Sequence, residues 1–219
     1  GGSVDWGHDW PGRYELSHLS LRAIFIQPTL SFKLTDQFSV GGGFIYNIGS
    51  VDLGRSLPAF HPDGRPATAN LKGNGSGTGY NVGIHYNLED QFALSVSYRS
   101  KVITRLEDGD AMFDVPQTLS ANFPNTKFSS ELPLPSSLNV GIAFPLSEKV
   151  DMAIDGSVLN YSIYKQLAFE YETDLIPNSV SEKQYENAYS AKVGINYQVN
   201  DRLALRTGAG FIRTPVRGQ

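Results

Sequence analysis

The chain has 219 residues, a formal net charge of −4 and no cysteine. That composition excludes disulfides, thiolate metal sites and cysteine nucleophiles, and it gives no basic footprint for nucleic acid. No run of about 18 apolar residues exists, so no helix is expected to span a membrane; alternating barrel strands remain open, because polar and apolar positions average out in them.

Residues 1–17 read as loop, with Trp6, Trp10 and Tyr14 among Gly, Asp and Pro. A first strand is expected from about Leu19 to Leu34, with Ile24, Ile26, Leu30, Phe32 and Leu34 on one face. Pro28 interrupts it and predicts an edge, bulge or kink, because proline donates nothing to a ladder. The turn Thr35-Asp36-Gln37 leads to a second strand from Phe38 to about Arg55, with Phe38, Val40, Phe44 and Tyr46 opposite Ser39, Gly41 and Gly43. Period two on both sides of a short polar turn is a hairpin.

A proline-bearing loop is expected over 56–72. The third strand sets Tyr80, Val82, Ile84 and Tyr86 against a face of glycines, Asn81 and His85. After Glu89-Asp90-Gln91 the fourth strand sets Phe92, Leu94, Val96 and Tyr98 against Ser95, Ser97, Arg99 and Lys101. A long loop spans 107–132. The fifth and sixth strands carry Leu138, Val140, Ile142 and Phe144, then Val150, Met152, Ile154 and Val158, around Ser147-Glu148-Lys149. A loop follows over 171–184. The seventh and eighth carry Tyr189, Val193, Ile195 and Tyr197, then Leu203, Leu205, Ala209 and Phe211, around Asn200-Asp201-Arg202.

The turn acids Asp36, Asp90, Glu148 and Asp201 recur at intervals of 54, 58 and 53 residues, a hairpin period. Short turns alternate with long connections. One face is apolar in every strand; the other mixes glycine and serine with Lys33, Arg99, Asp151, Asp155, Lys192 and Arg206. Phe38, Phe92, Phe144 and Tyr197 sit near the short turns, with Tyr46 and Tyr98 farther along, as in an aromatic girdle. These features predict an all-β fold: an antiparallel up-and-down transmembrane β-barrel, here eight strands forming a partial barrel or curved open sheet, in one domain over 1–219. A soluble sandwich also alternates, but its exposed face would carry few glycines.

Asp5-Trp6-Gly7, Trp10-Pro11-Gly12-Arg13-Tyr14, Ser97-Tyr98-Arg99-Ser100, Leu132-Pro133-Leu134-Pro135 and Thr214-Pro215-Val216 are similar in order and spacing to segments of one family. The chain resembles the outer-membrane long-chain fatty acid transporters, the FadL-like group that includes toluene and xylene channels. The resemblance implies a fourteen-stranded barrel with an N-terminal hatch and an Asn-Pro-Ala motif. This chain shows no such motif and no terminal aromatic, so it is expected to correspond to about the fourth to eleventh strands.

The resemblance further implies passive uptake of fatty acids or similar hydrophobic small molecules across the bacterial outer membrane, by a monomer in contact with the bilayer, without cofactor or enzymatic activity. It implies a ligand groove between two long loops, here about 56–72, with Leu57 and Phe60, and 107–132, with Phe113, Phe123 and Phe128. Arg55 falls where the family places a ligand-contacting arginine, and Lys183 near another basic contact. Arg99, on the polar face, is a further candidate for a carboxylate; a lumen ion pair is the alternative for each cation. A small structural barrel without a transport role is the alternative function, and it requires strand 21–34 to pair with strand 203–211.

Other chemistry is poorly supported. Glu107-Asp108-Gly109-Asp110 lacks the spacing and distal glutamate of a calcium loop. Gly73, Gly75, Gly77 and Gly79 precede no Gly-Lys-Ser/Thr. The four histidines show no metal spacing, and no nucleophile elbow is present.

Overall fold

A computed structural model describes residues 1–89 and 91–216. Among these residues the fold is antiparallel sheet with one short 3-10 turn, Tyr161–Ile163. Fourteen strand segments form a single hydrogen-bonded sheet. They are β1 (Gly2–Asp5), β2 (His18–Ile26), β3 (Thr29–Lys33), β4 (Phe38–Phe60), β5 (Pro66–Leu88), β6 (Phe92–Arg99), β7 (Val102–Asp114), β8 (Thr126–Leu134), β9 (Ser137–Ser147), β10 (Val150–Leu159), β11 (Gln166–Tyr171), β12 (Ser179–Glu182), β13 (Ala188–Asn200) and β14 (Leu203–Arg213).

Several segments join end to end, so the wall has the eight strands expected. β2 with β3 both pair with β4, broken at Pro28. β4 pairs with β5, which pairs with β6 and then β7. β6 and β7 pair with β9 and β8, and β9 pairs with β10. β10 pairs with β13, and β13 with β14. Three of the short turns fall where expected; Asp90 and Gln219 lie outside the described residues. Among the described residues β14 pairs only with β13, so the closure required by a self-contained eight-stranded barrel is not made.

Four expected loops need correction. Gly2–Asp5 is strand, paired with His18–Leu21, inside the expected loop 1–17. The loop over 56–72 shrinks to 61–65 because β4 and β5 run on, 23 residues each. Pro58 and Pro66 sit where the register shifts, between Ser56 and Phe60, so they mark an irregular ladder rather than a loop. Gly64, at φ +85°, makes the turn. The loop over 107–132 shrinks to 115–125, and that over 171–184 to 172–178 with β12 beyond it.

The lengths explain the architecture. A tilted barrel strand crosses a bilayer in about 9–11 residues. In β4 the first stretch, Phe38 to Ile48, carries the apolar outward face. Leu30, Phe32, Leu34, Phe44, Tyr80 and Phe211 are 52–71% exposed on this belt. Beyond Ile48 the polarity inverts. Ser50, Asp52 and Ser56 now share the outer face, where Asp52 pairs with His18 at 3.0 Å and Lys72 at 3.2 Å. Val51 and Leu53 point inward with Leu71, Leu106, Phe128 and Phe169. The hydrophobic core therefore lies inside the long-hairpin half, above the belt.

The glycine row of β5 has a specific use. A Cβ at Gly75 or Gly77 would strike the carbonyl oxygens of Arg105 and Ile103. The sheet bends sharply along this seam, and β7 leans inward over it. Thr104 reaches past β5 to β4, where its hydroxyl donates to Asn47 Oδ1 at 2.6 Å. Asn47 Nδ2 donates in turn to Ile24 O at 3.2 Å. Asn47 is 0% and Thr104 2% exposed, so this polar bridge is buried.

Candidate functional site

The inward-leaning half encloses an apolar cavity of about 580 Å³. Three registers build its wall. Leu21 pairs with Val51, Leu19 with Leu53, and Leu53 with Leu71, so the leucines of three strands form one surface. Leu132, Leu167, Phe169 and Tyr171 close the opposite side. Phe169 stacks edge-on against Phe128 at 5.4 Å, and Phe113 contacts Tyr171 at 6.2 Å.

Two cations enter this apolar space. Arg55 and Lys183 both line the cavity and are half-buried. Neither side chain has a hydrogen-bond or ion-pair partner among the described residues. Glu15 lines the same cavity but pairs with neither cation. Burial pushes the Tyr171 phenol up, while the nearby Arg55 charge pulls it partway back. Burial likewise raises Tyr164, with Tyr185 adding to the effect. A cavity of this kind suits a ligand with a long apolar body and one anionic head: the walls take the body by area, the cations take the head by charge-assisted hydrogen bonds.

The sequence candidates divide. Arg55 and Lys183, far apart in sequence, meet in one cavity. Phe113 packs against both Phe123, at 5.9 Å, and Tyr171, so these rings stand above the cavity. Phe128 is 1% exposed, sealed into the core beneath Gly73 and Gly109. Leu57 lies on the inner side of the β4 extension, and Phe60 stands 57% exposed at the hairpin tip. Arg99 sits lower, its guanidinium 4.1 Å over the Phe25 ring, and lines a different, polar part of the lumen. Leu19, Leu21, Val51, Leu53, Leu71, Leu167 and Phe169 form the walls that sequence reading missed. The signal was present: the alternation of β4 switches phase between Ile48 and Val51.

The chain matches, over residues 1–219, the family described as outer membrane protein transport protein (OMPP1/FadL/TodX). An outer membrane protein of Neisseria meningitidis serogroup B is 28% identical over 165 residues, 68% of this chain and 35% of that protein. The long-chain fatty acid transport protein of Salmonella typhi is 24% identical over 221 residues, 86% of this chain and 49% of that protein. The chain thus spans half or less of the length of these relatives. A FadL homologue of Pseudomonas aeruginosa shares the fold at a TM-score of 0.81 and 19% identity, covering 99% of this chain and 55% of that one. The toluene transporter TodX of Pseudomonas putida gives 0.68 at 16% identity, covering 97% of this chain and 63% of that one. With its belted, alternating wall and inward apolar cavity, the chain belongs to the OMPP1/FadL/TodX family of outer-membrane transport proteins.

Proposed function

We propose that the protein of which this wall is part takes up long-chain carboxylated hydrophobic molecules across the outer membrane, by passive diffusion through a site at the Arg55–Lys183 cavity. The observation that carries the reading is the pair of half-buried cations without protein partners in an apolar cavity of about 580 Å³. An isolated buried cation is unfavourable unless it meets an anion. A fatty acid supplies the anion and about 0.8 kcal/mol for each CH₂ it buries. The proteins it is similar to include a long-chain fatty acid transport protein and a toluene transporter. A neutral hydrocarbon satisfies the walls but leaves both cations unmatched, so the acid is the favoured class. The exposed belt is the surface offered to the bilayer, the protein acts as a monomer, and it performs no enzymatic step.

Equilibrium binding of oleate to the full-length protein tests this. Arg55→Ala is expected to weaken oleate binding about tenfold or more, since hydrogen bonds to charged groups contribute about 1.5–3 kcal/mol. Lys183→Ala is expected to act in the same direction. Binding of toluene should barely change in either variant. Unchanged oleate affinity in both variants would remove the cations from the site.

A further inference from the structure

The wall is breached between its fifth and sixth strands. β8 pairs with β11 only at Ser129↔Glu170 and Phe128↔Tyr171. Pairing resumes at Ser137↔Leu159, between β9 and β10. In the interval, residues 130–136 (seven) face residues 160–169 (ten), and the excess holds the 3-10 turn Tyr161–Ile163. Two hydrogen bonds mark its ends among the described residues. Ser130 Oγ donates to Ala168 O at 2.6 Å above, and Asn160 N–H donates to Ser136 O at 2.9 Å below. Pro133 and Pro135 lie between these ends, and neither has an N–H to offer a neighbouring strand.

The sixth strand leaves with the seventh rather than alone. Gln166 to Phe169 pair with Ser179 to Glu182, and Lys183 N–H donates to Lys165 O at 2.6 Å. The two segments therefore form a ribbon that is joined to β8 only at its upper end.

Cavities lie on both sides of this interval. The inner one, carrying Arg55 and Lys183, is lined here by Leu132, Tyr164, Leu167 and Phe169. The outer one, about 510 Å³, is lined by Pro133, Lys165, Gln166 and Ala168. These are alternate residues of the same two segments, so one layer of backbone with an interrupted ladder separates the cavities. The outer cavity carries three basic and three acidic side chains, and so is wet without net selection by charge. Below the interval Leu138 pairs with Val158, and Leu138 is exposed on the apolar belt.

We propose that this interval is a side portal through which a long-chain carboxylate enters the inner cavity from the outer edge of the membrane. An amphiphile concentrates at such an edge, its head in the polar layer and its chain in the apolar one. There it lies at the level of the Ser136–Asn160 end. From that position the chain needs to pass only one layer of backbone to meet Leu132 and Leu167. The proposal rests on the reading of the inner cavity as the ligand site.

The test uses the full-length protein in outer-membrane vesicles, freed of any cysteine outside this cysteine-free stretch. Gln166→Cys places a thiol on the outer side of the portal; Asn74→Cys places one on the outer face of β5, away from it. Each is capped with biotin maleimide and streptavidin after folding, and radiolabelled oleate is then added. The cap at Gln166 is expected to slow oleate association about tenfold or more while the equilibrium constant stays unchanged, because a blocked route slows entry and exit alike. The cap at Asn74 is expected to leave the rate unchanged. Equal rates with the two caps overturn the portal alone, as does an affinity loss without slower association. Failure of the uncapped protein to bind oleate overturns the cavity reading, and the portal with it.

Discussion

Single residues in this wall have separable jobs, and their burial tells them apart. Phe128 is 1% exposed and meets Gly73, Gly109 and Phe169. Its truncation leaves a cavity in the core, so Phe128→Ala is expected to destabilise the folded protein by about 3–5 kcal/mol. Denaturant titration in detergent checks this, and stability close to that of the unaltered protein would contradict it. Arg55→Ala, by contrast, is expected to weaken ligand binding with little effect on stability, because its guanidinium holds no protein partner. Legibility in the sequence follows the same division. Arg55 and Lys183 were accessible only through family resemblance, since nothing local joins residues so far apart. Phe128 was legible as a large apolar residue but not as a core one: its burial depends on glycines in two other strands, and no alternation within β8 reveals them.

At the scale of the element, the strands from Leu30 to Tyr46 and from Tyr80 to Tyr98 were legible because one face stays apolar without a break. Their extensions were not. Above Ile48 the apolar residues move to the inner face, and a reader following one phase sees the pattern dissolve into loop. The prolines at 58 and 66 reinforced that impression, yet both lie at an irregular hairpin end. The glycines of β5 do not leave the lumen open, because the space beside them is filled by β7 of the same chain. The buried Asn47–Thr104 bridge holds that inward lean. Thr104→Val keeps the shape but removes the donor, leaving a buried acceptor unsatisfied, which costs about 1–3 kcal/mol. The expected result is a stability loss of that size, largely recovered by Thr104→Ser. A valine variant as stable as the parent would show that the bridge does not hold β7 in place.

The whole molecule combines two surfaces of opposite sense. Below Ile48 the wall is apolar outside and polar within; above it, polar outside and apolar within. One sheet therefore presents a membrane belt and, continuous with it, an apolar cavity. The inversion also explains why hydropathy alone says little, since each half cancels the other. The free edge of β14 and the exposed belt are features of this stretch of wall, and the relatives are about twice its length or more. The fold was legible because hairpin period, belt and turns repeat; the cavity was not, because it exists only where six strands converge.

Where the ligand rests is the most direct question. A fatty acid bearing a diazirine along its chain, photolysed in the full-length protein and mapped by mass spectrometry, answers it. The account predicts adducts on the inner walls, at Leu19–Leu21, Val51–Arg55 and Leu167–Tyr171. Adducts confined to the hairpin tips around Phe60 and Phe123, or to the outer belt, would contradict it.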